Sequence, residues 1–322
     1  MRHKFGIFGK LILPFLATGM LSACAGTETR QPLYIAWSDR QDSYSFVSTV
    51  KTVESMGYKP VVLNMVQSAD LTYTAEKKLE DAVDGHGILL SEYAQLVEQN
   101  SWKGSNVEEV MKNVDRVIFP GGTDICPTLY KVEQPWHGIE ADTDYSAERD
   151  VSDYLLMSYC LEKDIPLFAI CRGMQMLSVV SGATMIQDIP TFLEDQGIED
   201  TGVHRDLAKK VFVPHDVTVT DTSSLLYKCI GKSVIKSVPS WHHQGVLSVK
   251  GTKLSVTGEA TTGDIMLIEA VERKDLTFCL GVQFHPEVAV RKYIDNEIDA
   301  ERFMDRSTAL SFFISLVRAR KA

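Results

Sequence analysis

The chain has 322 residues, of which 44% are hydrophobic, and its 33 basic and 43 acidic side chains give a net charge of −10. That acidity argues against nucleic acid as a partner, and the hydrophobic share supports a packed core rather than disorder. The length allows one large domain or two small ones; with no internal repeat, low-complexity tract or linker after Pro32, one domain over residues 33–322 is expected.

At the start, Arg2, Lys4 and Lys10 precede an apolar run, Leu11 to Met20, interrupted by Pro14. A spanning helix needs about 20 apolar residues, so the run is too short to cross a bilayer but suits a signal-peptide core. It ends in Leu21-Ser22-Ala23-Cys24, which resembles the lipobox of bacterial lipoproteins. Residues 1–23 are therefore expected to be a signal peptide, Cys24 the lipidated N-terminus, and residues 24–32 a tether. Loss of the three basic residues of 1–23 would bring the net charge to −13. The expected location is the cell envelope of a bacterium, lipid-anchored and facing outside the cytoplasm.

Strand and helix patterns then alternate. Leu33 to Trp37 reads as a strand, Ser43 to Met56 as a helix closed by Gly57, and Pro60 to Leu63 as a second strand. Asp70 to Asn113 looks mostly helical. Arg116 to Phe119 is a third strand running into Pro120-Gly121-Gly122, and Ala147 to Glu162 is an amphipathic helix. Such alternation predicts an α/β fold with a mostly parallel sheet flanked by helices, whose reactive groups gather at the carboxyl ends of the strands. After residue 215 the character changes. Asp216 to Thr220, Val234 to Val238, Val246 to Val249, Lys253 to Val256, Ile265 to Val271 and Thr277 to Gln283 are short and turn-bounded. They predict additional antiparallel strands in the C-terminal half. A helix from about Arg302 to Val317 closes the chain.

The most informative stretch is Ile165 to Gln175. A β-rich apolar run stops at Cys171, with Ala169 two places before it, Gly173 two places after it and a helical pattern beyond. These are the features of a nucleophile elbow, in which a strained residue joins a strand to a helix and its neighbours must be small. The helix N-terminus favours thiolate at Cys171. A thiolate needs a base, and the base an orienting carboxylate. His285 and Glu287 qualify as residues i and i+2 on one face of an extended strand end, with Pro286 fixing the backbone between them. For the oxyanion of acyl transfer, candidate donors are the amide of Arg172 and that of Gly121 or Gly122.

With Cys24 lipidated, Cys126, Cys160, Cys171, Cys229 and Cys279 form an odd set without regular spacing, so no disulfide framework is expected. No metal is expected either. There is no CxxC, and the adjacent His242 and His243 point to opposite faces of a strand, so the pair alone makes a poor chelate.

Taken in order, Pro120-Gly121-Gly122-Thr123-Asp124-Ile125-Cys126-Pro127-Thr128-Leu129-Tyr130, Glu148-Arg149-Asp150, Ala169-Ile170-Cys171-Arg172-Gly173-Met174-Gln175, Gln187-Asp188-Ile189-Pro190, Ser240-Trp241-His242-His243-Gln244 and Gly281-Val282-Gln283-Phe284-His285-Pro286-Glu287 resemble the class I glutamine amidotransferase superfamily. Within it they look like the C26 branch that contains gamma-glutamyl-GABA hydrolase. The resemblance covers Leu33 to Glu287. It implies a flavodoxin-like core, a Cys171–His285–Glu287 triad and a gamma-glutamyl thioester on Cys171 that water hydrolyses. It also implies that Gln175 and the Ser240-Trp241 backbone help hold the glutamyl amino and carboxyl groups. Three departures stand out: Ala169 where glycine is usual, Pro239 where asparagine commonly precedes Ser240, and a long segment from Asp70 to Asn113. Arg149 and Asp150 match a recurrent pair to which the sequence assigns no role.

The expected protein is thus a lipid-anchored cysteine hydrolase of gamma-glutamyl amides that uses no cofactor and acts on a small-molecule substrate. The oligomeric state is not legible in the sequence. Two alternatives are a glutaminase subunit of an amidotransferase and a non-catalytic gamma-glutamyl-binding lipoprotein.

Overall fold

The computed structural model describes residues 30–132, 136–139 and 143–320. The expected signal peptide and Cys24 lie outside the described residues.

In chain order the elements are β1 (Pro32–Ile35), α1 (Tyr44–Ser55), β2 (Lys59–Val62), α2 (Ser91–Asn100), α3 (Val107–Val110), β3 (Val117–Phe119), α4 (Ala147–Lys163), β4 (Leu167–Ile170), α5 (Arg172–Val180), β5 (Thr184–Ile186) and α6 (Ile189–Asp195). There follow β6 (Val213–Val219), α7 (Leu225–Ile230), β7 (Val234–Ser240), β8 (Gly245–Ser248), β9 (Ser255–Thr262), β10 (Ile265–Glu272), β11 (Cys279–Val282), α8 (Pro286–Ile294) and α9 (Arg306–Arg318). They build one mixed sheet in the order β2-β1-β3-β4-β11-β10-β9-β6-β7, with β5 and β8 pairing off this path. From β2 to β11 every pairing is parallel; from β11 through β10, β9 and β6 to β7 every pairing is antiparallel.

The central strands are short apolar runs because both of their faces are covered. Their side chains alternate between two cores. Val117, Phe119, Leu167, Ala169 and Cys279 point to the side packed by α4 and α5. Leu33, Ile35, Ile118, Phe168, Ile170, Leu280 and Val282 point to the side packed by α1, α8 and α9. On that second side Phe168 stacks on Phe312 at 5.7 Å, and Phe312 also meets Phe284 at 5.9 Å, so α9 props up the strands leading to Cys171 and His285. Ser43 caps α1, its hydroxyl accepting from Phe46 N, and Gly57 follows the helix at φ +83°.

The α/β class and the antiparallel C-terminal extension agree with the sequence reading. The stretch from Asp70 to Asn113 does not. It is helical only over α2, α3 and a 3₁₀ turn at Ser101–Gly104, and residues 70–90 form two tight bridged turns. The reason is local. Thr74 Oγ1 accepts from Glu76 N and Lys78 N, both at 3.2 Å, while Asp84 Oδ1 accepts from His86 N at 2.8 Å and Ile88 N at 3.0 Å. Side-chain bonds of this kind offer the backbone an alternative to helix. Elements β5, α6, α7 and α8 had no counterpart in the predicted set.

Phe312→Ala removes the ring shared by Phe168 and Phe284 and should cost about 3–5 kcal/mol in urea unfolding. A loss under about 1 kcal/mol would show that this aromatic cluster does not hold the sheet's second face.

Candidate active site

Strand β4 ends at Ile170 and α5 begins at Arg172, so Cys171 alone makes the turn, at φ +49° and ψ −106°. A non-glycine residue in such backbone carries strain of order 1–3 kcal/mol and persists only where its surroundings impose it. Here Cys171 N donates to Val282 O at 2.7 Å and Cys171 O accepts from Gln175 N at 3.0 Å. The next turn of chain has no spare room. A Cβ on Gly173 would stand 2.5 Å from Phe119 O and 2.9 Å from Phe119 Cβ, so only glycine lets the start of α5 lie against the end of β3.

His285 follows β11, and its N–H donates to Pro239 O at 2.8 Å. Pro239 thus contributes through its carbonyl, for which a missing N–H is irrelevant. His285 Nδ1 lies 2.7 Å from Glu287 Oε1, with both side chains buried. The pair meets for a different reason than strand periodicity. His285 is the N-cap of α8, Pro286 stands at its start and Glu287 lies in its first turn, so helix geometry brings the carboxylate back under the imidazole. Ser45, which no motif in the sequence marked, donates from Oγ to the same Glu287 oxygen at 2.8 Å.

Burial alone would lower the His285 pKa, but the negative charges of Cys171 and Glu287 outweigh it and raise it to about 10. Nε2 makes no standard hydrogen bond with a described residue, although Cys171 is close enough for its charge to act on the ring. Gln283, wholly buried on the way from β11 to His285, donates from Nε2 toward Cys171 Sγ at 3.5 Å. A thiolate and an imidazolium are mutually stabilising in this arrangement.

The loop after β3 is held by a buried network of charge. Arg149 on α4 donates from Nη2 to Pro120 O at 3.1 Å and to Gly121 O at 2.8 Å. Arg172 donates its guanidinium to Asp150 and Asp153, and Asp150 Oδ2 accepts from Cys126 N at 2.9 Å. Burial, with the neighbouring charge of Arg172, lowers Arg149 to about 10. Of the pair left without a role by the sequence, Arg149 therefore ties α4 to the glycine turn and Asp150 ties it to Cys126 further along the loop. That turn leaves no space either: a Cβ on Gly121 would approach His285 Cε1 to 2.8 Å and Ser45 Oγ to 2.9 Å, and one on Gly122 would collide with Arg149.

Cys171 borders two adjoining cavities. One of about 410 Å³ is lined by Gly122, Thr123, Asp124, Gln175, Arg205, Lys210, Trp241 and His243 among others. The other, about 290 Å³, is lined by Tyr44, Ser45, Phe212, Trp241 and His285 among others. Gln175 Nε2 donates to Gln244 O at 3.0 Å, which fixes its side chain in the wall of the first cavity. Ser240 is buried and its hydroxyl donates to His204 O at 3.0 Å, so what it can offer a ligand is backbone. Across the first cavity His243 bridges Asp188 and Asp124, each at 3.0 Å. Arg205 and Lys210, in the segment between α6 and β6, were not singled out by the sequence because no motif surrounds them.

This assembly of elbow cysteine, histidine and carboxylate at the carboxyl edge of a mixed sheet belongs to the glutamine amidotransferase-like class of folds. The sequence model of the family described as peptidase C26 matches residues 94–287, and the chain belongs to that family of hydrolases. Protein RP404 of Rickettsia prowazekii, named as glutamine amidotransferase-like, is 30% identical over 236 residues, covering 63% of this chain and 79% of that protein. The gamma-glutamyl-gamma-aminobutyrate hydrolase of Escherichia coli O157:H7 is 32% identical over 207 residues, covering 62% and 74%.

Gly173→Ala should destabilise the chain by about 1–3 kcal/mol, because the added methyl must displace backbone of β3 rather than a flexible side chain. A variant with unchanged urea midpoint would show that the helix start tolerates more space than the contact with Phe119 allows.

Proposed function

We propose that the protein hydrolyses gamma-glutamyl amide bonds through a thioester on Cys171. The observation that carries this reading is the meeting of a strained cysteine, a buried His285–Glu287 pair 2.7 Å apart and a glycine turn at one point beside a polar cavity. In this reading the Cys171 thiolate attacks the gamma-carbonyl carbon. The resulting oxyanion is received by the amides of Arg172 and of Gly121 or Gly122. Its collapse breaks the C–N bond, and the leaving amine takes the proton of the His285 imidazolium. Neutral His285 then draws a proton from water, which attacks the thioester and releases glutamate. Glu287 orients the ring and favours its charged form, and Ser45 holds Glu287. The larger cavity takes the glutamyl group, with Gln175 and the Ser240-Trp241 backbone around its amino and carboxyl groups. The smaller one takes the departing amine. Support for the substrate class comes from the likeness to the gamma-glutamyl-gamma-aminobutyrate hydrolase.

Burial pushes the thiols of Cys126, Cys160, Cys229 and Cys279 up, Cys229 to about 11 and Cys279 to about 12, so a thiol reagent at neutral pH should find Cys171 first. Incubation with a panel of gamma-glutamyl and alpha-glutamyl amides, followed by peptide mass mapping, should place a glutamyl adduct on Cys171 from the gamma series alone. Cys171→Ala should abolish turnover and leave the fold intact. An adduct on another cysteine, or turnover by Cys171→Ala, overturns the mechanism.

The pH profile tests the base. Because the His285 pKa is raised, the imidazolium persists at neutral pH and is lost as pH rises through about 10. The alkaline limb of kcat/KM should therefore fall near that pH. Removing one of the two anions that favour the proton, as in Glu287→Gln, should move the limb downward. A limb that stays in place in Glu287→Gln would show that this carboxylate does not act on His285.

We further propose that Cys24 carries lipid and anchors the chain on the outer side of the cytoplasmic boundary, as the Leu21-Ser22-Ala23-Cys24 run suggests. Cys24→Ser should release the protein into the soluble fraction or stall its maturation. Unchanged membrane association with no lipid mass would rule the anchor out.

A further inference from the structure

A second cluster of chemically able side chains adjoins the larger cavity, whose lining includes one of its members, His242. His204, in the segment between α6 and β6, His215 on β6, His242 just past β7 and Glu269 on β10 converge so that one ligand atom from each lies within 4.8 Å of every other. The four side chains are 4%, 7%, 3% and 0% exposed, in that order. His204 Nδ1 stands 3.3 Å from Glu269 Oε1, His242 Nε2 3.5 Å from the same oxygen and His215 Nε2 3.8 Å from Glu269 Oε2. All three ring nitrogens and both carboxylate oxygens lack a hydrogen-bond partner among the described residues. Five orphaned polar atoms at one buried point are costly unless something satisfies them together.

The outer side of each ring is already engaged. His242 Nδ1 is 2.9 Å from Gln244 O and His215 Nδ1 3.2 Å from Asp216 O. A carbonyl only accepts, so each Nδ1 carries a proton, and the neutral form of each ring offers its Nε2 lone pair inward. His204 Nε2 is held by Thr262 Oγ1 at 2.6 Å, leaving Nδ1 inward. Three inward lone pairs facing a carboxylate repel, full protonation would bury three cations against one anion, and a single proton would pair one ring while leaving the other two facing the carboxylate unmatched. A divalent cation resolves these difficulties at once. With metal–ligand distances near 2.0–2.1 Å, tetrahedral geometry places ligand atoms about 3.4 Å apart; His204 and His242 stand 3.3 and 3.5 Å from Glu269 Oε1, and the full set, within 4.8 Å, would draw in to close around an ion. The outward bonds to carbonyl and hydroxyl are the supports that a metal-bound imidazole requires.

We propose that His204, His215, His242 and Glu269 bind a zinc-class divalent cation. Three imidazoles and a carboxylate without sulfur suit Zn²⁺, and four protein ligands close the coordination sphere, as in a structural rather than a catalytic site. Its position gives it a task. His204 O accepts from Ser240 Oγ at 3.0 Å and from His242 N at 3.1 Å. Beside His204 and His242 in the chain, Arg205, Trp241 and His243 line the larger cavity. The ion therefore pins the connection from α6 to β6, and the segment after β7, onto the antiparallel part of the sheet, and so sets the shape of that wall. The ring of His242 faces Glu269 and that of His243 faces Asp188 and Asp124, so each belongs to a different cluster.

The test uses the full chain, and its readout does not depend on turnover. Protein expressed in zinc-containing medium should carry about one zinc per chain by elemental mass spectrometry. Chelator-treated protein should regain one equivalent on titration with Zn²⁺ and show the visible bands of a tetrahedral ion with Co²⁺. Zinc should also raise its thermal midpoint by several degrees, as a ligand of the native state must. Glu269→Gln combined with His242→Gln should lower the metal to below about 0.1 per chain, whereas Cys171→Ala should keep it. Uptake below about 0.1 equivalent by the chelated wild type, which is free of any folding defect from mutation, overturns the site. Full metal retention by the double variant overturns it equally.

Discussion

The close approach of α5 to the end of β3 is the constraint on which the rest of the site depends. Gly173 sits where a single extra carbon would press on Phe119 backbone, and this contact lets the chain turn from β4 into α5 through one residue, Cys171, at φ +49°. Because β4 is hydrogen-bonded to β3 on one side and to β11 on the other, the turn brings the cysteine between two neighbouring strand ends. The glycine loop follows one of them and His285 follows the other. The strain at Cys171 is carried by the parallel ladder, a rigid element, and not by the loops themselves.

A second layer of support comes from charge buried beneath the loop. Arg149 and Arg172, both wholly inaccessible, share Asp153, Arg172 also holds Asp150, and together the four reach Pro120 O, Gly121 O and Cys126 N. Such pairs are weak evidence for stability, since the desolvation of four ionic groups offsets much of their attraction. Their effect is better described as positional. Removing any one member leaves an uncompensated buried charge, so the glycine turn has few alternative positions open to it.

The antiparallel half of the sheet supplies what the parallel half lacks, a wall. Strand β11 belongs to both halves, parallel to β4 and antiparallel to β10, so the strand that delivers His285 also anchors the extension. The segment after β7 turns over the sheet edge, with Trp241, His242 and His243 all bordering the cavity while the His242 ring nitrogens reach Gln244 O and Glu269. The two histidines thus serve two clusters of unlike character. His243 lies between two carboxylates with conventional hydrogen bonds, and His242 faces a carboxylate with none.

How much of this was written in the chain depends on how local each signal was. Strands β1, β3, β4 and β11 are contiguous apolar runs with turn residues at their ends, and the alternation of strand and helix declares a parallel sheet without tertiary information. The elbow is likewise legible, because its steric demands fall on residues within a few places of Cys171. The pairing of His285 with Glu287 was readable as a proximity but not as a geometry, since Pro286 starts a helix only where α8 has α1 and β7 to pack against. Residues 70–90 defied a helical pattern because Thr74 and Asp84 bond their own backbone, a competition that composition does not reveal. Ser45 lies 242 residues from Glu287, and His204 is 65 residues from Glu269. No periodicity spans such distances. The sequence by itself determined the strands, the elbow and the order of the motifs. Only the folded sheet, through strand order and the crossing of its two halves, decided which distant side chains would meet and find themselves buried with polar atoms to satisfy.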